Sequence, residues 1–215
     1  MVKIDKKPEP IVLANNKNHW TTLLMGHIAR GEVVPSSLSS NYNQTEVKSI
    51  LKEESRGKCM YCESNVSHVA YEHIEHIKPK AKDKYPDLTF EWNNLGLACP
   101  KCNINKSDNY DDNLPFINPY SEDPELSLFS LGPWIYPMPG NDRGFITEQT
   151  IQLNRVDLIE KRLERINEIR RLIELYVRQK NDLLKNILKD EIIKEVQPNK
   201  PYSMCTKQLL SLLQI

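Results

Sequence analysis

Two Cys-x-x-Cys pairs, Cys59-Met-Tyr-Cys62 and Cys99-Pro-Lys-Cys102, constrain this chain more than any other feature of its sequence. Each pair places two sulfurs on one tight knuckle, and two knuckles complete the tetrahedral four-thiolate set that suits zinc. Four thiolates leave no position for water, so such a site is structural rather than catalytic. Two disulfides, a redox Cys-x-x-Cys or four buried thiols are the competing readings. The expected compartment weighs against the disulfides. The N-terminal stretch MVKIDKKPEPIVL has no apolar core followed by a small-residue cleavage site, and no apolar run reaches about 18 residues. The expectation is a cytoplasmic protein with no membrane span, in which thiols stay reduced and paired cysteines hold metal. Cys205 stands alone and reads as a small buried apolar residue.

A length of 215 residues with 39% hydrophobic content suits one folded domain, or a small catalytic module with helical additions. The expected fold class is α+β, with a metal-stapled core at 58–110 embedded in helical elements. Residues 1–57 form an N-terminal helical extension, with a short helix about His19–Met25, a loop over Val34–Ser40 and a second helix carrying Val47, Ile50 and Leu51, which Asn43 or Thr45 caps and Gly57 ends. Residues 111–146 carry six prolines that interrupt regular structure. Phe116, Ile117, Leu126, Leu128, Phe129, Trp134 and Ile135 supply apolar anchors there, as in an ordered wrapping segment. In 147–215, Val156, Ile159, Leu163, Ile166, Ile173, Val177, Leu184, Leu188 and Ile192 recur at helical steps. A break near Asn181 to Asp182 divides this stretch into two helices, an antiparallel pair, with one bent helix as the alternative, and a short apolar tail, Leu209 to Ile215, closes the chain.

The chemistry lies between the knuckles, in Tyr71-Glu72-His73-Ile74-Glu75-His76-Ile77-Lys78-Pro79-Lys80 and Asn93-Asn94-Leu95, and just after them in Asn103-Ile104-Asn105-Lys106. A neutral imidazole takes a proton from water. A carboxylate and an amide oxygen hold a hard divalent ion, and lysines meet phosphates. These are the requirements of phosphodiester hydrolysis.

In this order and between paired knuckles, EHIKPK and NNLGLACPKCNINKS resemble the HNH endonuclease core, the ββα-metal fold, in its four-cysteine zinc subtype. The resemblance implies His76 as general base, Glu75 as the metal-binding acid before it, Asn94 as the brace of the intervening loop, and Asn103 as second ligand to a catalytic Mg²⁺ or Mn²⁺. Asn103 stands where the literal motif has a second His. His76 is preferred to His73 as the base because it begins the His-x-x-Pro spacing to Pro79. His73 falls on the opposite strand face, in a supporting or structural place. Lys78, Lys80 and Lys106 are candidates for substrate contact.

The flanks MVKIDKKPEPIVL, INPYSEDPE and TIQLNRVDLIEKR resemble the HNH subunits of Septu-type antiphage systems and their retron-associated relatives. That resemblance implies a defence nuclease working on nucleic acid, DNA in preference to RNA, with a PtuA-like ATPase partner of the ABC/SMC type. Charge points the same way: 29 basic against 29 acidic residues give no global attraction for phosphates, so substrate grip has to come from elsewhere. The arginines at 162, 165, 170, 171 and 178 read equally as a docking surface or as a solvated face with ion pairs such as Glu174 to Arg178. The same chemistry on RNA or tRNA, and a non-catalytic zinc-knuckle assembly module, are the alternatives.

Overall fold

A computed structural model describes residues 1–66 and 72–213; Tyr71 of the histidine segment and the last two residues of the apolar tail lie outside the described residues. The core is a two-stranded antiparallel hairpin followed by a helix. β1 (His73–His76) pairs with β2 (Leu95–Ala98) in the register His73 to Ala98 and His76 to Leu95. A helix over Pro100–Lys106 follows the second knuckle directly. Pro100 at its first position has no amide hydrogen to leave orphaned, and the Cys99 sulfur accepts from the Cys102 amide at 3.5 Å.

β2 is buried on both faces, which its Leu-Gly-Leu-Ala sequence allows. Its glycine makes room for the first knuckle: a Cβ on Gly96 would come too close to the buried Met60 sulfur and force it to shift. Met60 N–H in turn donates to Leu97 O at 2.8 Å, docking that knuckle on the strand.

Residues preceding the core clamp it. α1 (Ile11–Ala29) and α2 (Ser36–Ser39) lead to α3 (Thr45–Glu54), whose Val47 and Leu51 are fully buried. The core helix at Pro100–Lys106 is α4. Lys6 fixes the N-terminal strand of chain: its ammonium donates to Glu54 at 2.8 Å and Leu95 O at 2.7 Å and lies 3.6 Å over the Trp92 ring. The α1 helix is longer than the His19–Met25 stretch implied, because Leu13 and Leu24 both face the core. The serine-rich loop contains the one-turn α2, and Gln44, not Asn43 or Thr45, occupies the N-cap of α3. Gly57, at φ +70°, lies just past the end of that helix.

The proline-rich stretch departs from expectation more plainly. It holds a second hairpin, β3 (Leu128–Leu131) paired with β4 (Trp134–Pro137), turned by Gly132 at φ +58° and Pro133. The prolines sit at the turn and the strand end, where no ladder hydrogen bond is lost. Beyond it come α5 (Asp142–Ile151), α6 (Val156–Arg178), α7 (Asp182–Glu195) and α8 (Ser203–Leu213). The break falls where expected, with the Asn181 side chain capping α7 through Leu184 N–H. Arg165, early in α6, meets Glu195, the last residue of α7, at 2.6 Å, so the pair runs antiparallel.

The chain's end closes on the first knuckle. Lys58, buried, donates to Glu63 at 3.1 Å and Lys200 O at 3.0 Å, Ser203 donates to the same carboxylate at 2.6 Å, and Tyr202 OH lies 3.1 Å from Ser64 Oγ. No helix among the described residues is long and apolar enough to cross a membrane.

Candidate active site and its metal staple

The four cysteines meet. Their sulfurs all lie within 4.8 Å of one another, and Cys62 and Cys99, one from each knuckle, are 3.8 Å apart. Sulfurs about 2.3 Å from a tetrahedral ion stand about 3.8 Å from one another, so the set fits zinc without rearrangement. Ser64 Oγ lies 3.2 Å from the Cys62 sulfur, and Arg155 places its guanidinium 3.5 Å from Cys102 and 3.9 Å from Cys99. A four-thiolate zinc site carries two net negative charges, and Arg155 offsets part of them. The sequence held no signal for that contact, because Arg155 lies beyond α5.

His76 ends β1, buried, with Nε2 at 3.0 Å from the Thr89 carbonyl. A carbonyl only accepts, so Nε2 carries the hydrogen and Nδ1 keeps its lone pair. Burial holds the imidazole down to about 3, with the Lys80 and Lys106 charges adding to the effect, so the ring is neutral near pH 7. Thr89 is itself pinned by its hydroxyl, which donates to Pro86 O at 2.6 Å. Tyr42, from the loop before α3, packs edge-on to the imidazole at 4.6 Å between centroids and 88°.

Asn94 accepts from Lys78 N–H at 2.8 Å and donates to Lys78 O at 3.0 Å and Leu88 O at 3.1 Å. One side chain thereby ties the strand exit to the loop returning to β2, which holds the Thr89 carbonyl against His76.

Glu75 points the other way, toward α4. It is 2% exposed and pairs with the equally buried Lys106 ammonium at 2.8 Å. Burial pushes its carboxyl up to about 7, against the pull of Lys106. Oε2 of Glu75 is buried without a close hydrogen bond, although the Tyr61 hydroxyl also acts on the carboxylate. A bare buried carboxylate oxygen is costly unless something electropositive meets it. On α4, Asn103 Nδ2 lies 2.9 Å from His73 Nδ1. A cleft of about 350 Å³ opens among Tyr42, Glu75, His76, Lys80, Asn103 and Asp108. A buried carboxylate on β1, an amide on α4 and a neutral imidazole lining one cleft make a donor set suited to a hard divalent ion.

The lysines divide. Lys80 lines the cleft and donates to Tyr42 OH at 2.9 Å. Lys78 is partly exposed, paired with Asp112 at 2.7 Å and lying over the Tyr85 and Tyr110 rings. Lys106 is not placed to touch substrate: it is 1% exposed and spends its ammonium on Glu75 and the His76 carbonyl, the latter at 2.8 Å. The α6 arginines are likewise partly internal. Arg162 is buried on the Leu153 and Pro133 carbonyls, and Glu174 pairs with Arg170 at 2.9 Å rather than with Arg178.

A strand pair, knuckle and helix with a buried His, a bracing Asn and a carboxylate at the strand end is the arrangement in which the family model for "HNH endonuclease" matches residues 59–109. The chain carries an HNH endonuclease domain. By that domain it is a nuclease. The HNH domain covers the core alone, and similarity to curated proteins extends further. The chain is 28% identical to the Septu protein PtuB of Bacillus thuringiensis over 191 residues, 80% of this chain and 71% of that protein. It is also 28% identical to the Septu protein PtuB of Bacillus mycoides (strain KBAB4), covering 98% of this chain and 90% of the relative. The flanking helices thus belong to the same similarity as the HNH domain.

Proposed function

We propose that this nuclease hydrolyses phosphodiester bonds of DNA with a divalent ion, as the cutting subunit of a Septu-type antiphage complex that includes an ATPase, in the bacterial cytoplasm. The observation that carries the chemistry is the tautomer of His76: Nε2–H is committed to the Thr89 carbonyl, which leaves Nδ1 free to take a proton from water. Asn94 keeps that geometry by fixing the loop that bears Thr89. Glu75 Oε2 and Asn103 Oδ1 are the atoms to hold Mg²⁺ or Mn²⁺. Bound there, the ion supplies charge stabilisation to phosphate oxygens. Lys80, its ammonium steered by Tyr42, neutralises a phosphate beside the cleft. The four-cysteine zinc keeps β2 and α4 in register and takes no part in the reaction.

The ATPase partner is supported by similarity to the Septu proteins and by charge. With equal numbers of basic and acidic residues, Lys106 buried and Lys78 paired with Asp112, the chain has no net attraction for phosphates, so the subunit holds nucleic acid weakly alone.

The test is cleavage of plasmid DNA, duplex and single-stranded oligonucleotides and total RNA in Mg²⁺ or Mn²⁺, with and without EDTA, alone and with a PtuA-like ATPase. Metal-dependent DNA cleavage that His76→Ala abolishes, while unfolding and zinc content stay unchanged, is the expected result. Equal cleavage by the variant overturns the assignment of the base, and cleavage confined to RNA overturns the substrate.

A further inference from the structure

Asn103 faces a problem that a carboxylate ligand does not. Its amide presents an oxygen on one side and an NH₂ on the other, and only the oxygen coordinates a cation. A half-turn about the last side-chain bond replaces a ligand by a donor that repels the ion. Terminal sp² torsions of this kind are broad and roughly two-fold, so the backbone alone does not choose between the two faces.

A neighbour in the tautomer with a bare Nδ1 supplies the choice. His73 begins β1, two residues before Glu75 and therefore on the same strand face, toward α4. Its Nδ1 lies 2.9 Å from Asn103 Nδ2. With Nδ1 as acceptor the amide is held NH₂-inward against the ring, and Oδ1 is the atom left for the cleft that Asn103 lines with Glu75. We propose that His73 is a positioning residue that selects the oxygen face of Asn103 for the divalent ion, without touching the ion or the substrate. Alternation along β1 separates the two histidines by role: His76 faces the Thr89 carbonyl and Tyr42, and His73 faces α4.

The inference rests on the reading of Glu75 and Asn103 as the ion's ligands, and the experiment separates the two. Mn²⁺ binding to the full zinc-loaded chain is titrated by the electron paramagnetic resonance of free Mn²⁺, without substrate. Second-sphere partners of metal ligands are worth about 10- to 100-fold in affinity. His73→Ala should weaken Mn²⁺ binding about tenfold or more. His73→Asn, whose Oδ1 occupies nearly the place of Nδ1 and accepts the same bond, should restore most of it. In an Asn103→Asp background the two ligand oxygens are equivalent and there is no face to select, so adding His73→Ala should cause no further loss.

A purely structural His73 predicts equal loss in both backgrounds, and that result overturns the proposal. Unchanged Mn²⁺ affinity in His73→Ala, with Asn103→Ala still impaired, overturns it as well. If Asn103→Ala itself binds Mn²⁺ as tightly as the parent, the ligand assignment fails instead.

Discussion

Replacing Lys106 by Met tests whether the buried pair beneath the cleft is as tightly coupled as its geometry requires. Methionine keeps the aliphatic stem packed and removes only the ammonium. Glu75 and Lys106 are 2% and 1% exposed and 2.8 Å apart, so the variant strands a carboxylate in the interior and leaves the His76 carbonyl without its charged donor. Breaking a buried pair from one side costs about 3–5 kcal/mol. That cost applies only while Glu75 is ionised. Its carboxyl already sits up at about 7 in the folded chain, and losing Lys106 raises it further.

A group whose folded value lies above its unfolded one stabilises the fold fully at low pH, and that contribution is lost as pH rises through the folded value. The deficit of Lys106→Met is therefore largest in base and shrinks in acid: about 3 kcal/mol near pH 8.5, and about 1 kcal/mol near pH 5.5, where only a neutral hydrogen bond is missing. Urea unfolding of the zinc-loaded protein reads this as a midpoint shift of about 1 M at the higher pH. The cycle with Glu75→Gln isolates the coupling, since Lys106→Met in the Gln background should cost about 1 kcal/mol at either pH. Single-variant costs that add to within about 0.5 kcal/mol near pH 8.5, or a Lys106→Met cost that does not change with pH, refute the reasoning.

Three other outcomes are expected. Acidification below about 7 should depress cleavage as Glu75 takes up a proton, and tenfold more Mn²⁺ should move the midpoint down by up to about one pH unit, because ion and proton compete for one oxygen; a midpoint indifferent to Mn²⁺ contradicts the ligand role. Asn94→Ala, which removes bonds of 2.8, 3.0 and 3.1 Å from a buried side chain, should cost about 3 kcal/mol in urea unfolding and about 100-fold in cleavage rate; full activity contradicts the bracing role. Arg155→Met should lower zinc affinity about tenfold or more in chelator competition, and an unchanged affinity shows that the guanidinium does not stabilise the thiolates.

What could be read from the sequence was what is local. The knuckles, the Glu75-His76 pair, Asn94 and Asn103 lie within some forty-five residues, and their spacing encodes a hairpin and a helix start. Partners drawn from afar left no trace. Tyr42 comes from a loop more than thirty residues before His76 and Arg155 from beyond the second hairpin, and nothing in either neighbourhood marks it. Thr89 contributes a backbone carbonyl, which no side-chain pattern reports. Lys106 was misplaced because a lysine in a basic motif looks like a phosphate contact until the carboxylate beneath it is seen. The second hairpin did have a signal, a Gly132-Pro133 turn between Leu-Phe-Ser-Leu and Trp-Ile-Tyr, which the density of prolines obscured.

The lock between the first knuckle and the chain's end bears on when that knuckle is secured. Ser203 reaches back 140 residues to Glu63. A ribosome adding about 5–20 residues per second takes about 7–28 s to make that span. Until Ser203 is made, the first knuckle lacks the contacts that the later segment gives it. A chain cut short before Lys200 therefore lacks the bonds that tie Lys58 and Glu63 to the later segment, and its first knuckle is held to β2 through Met60.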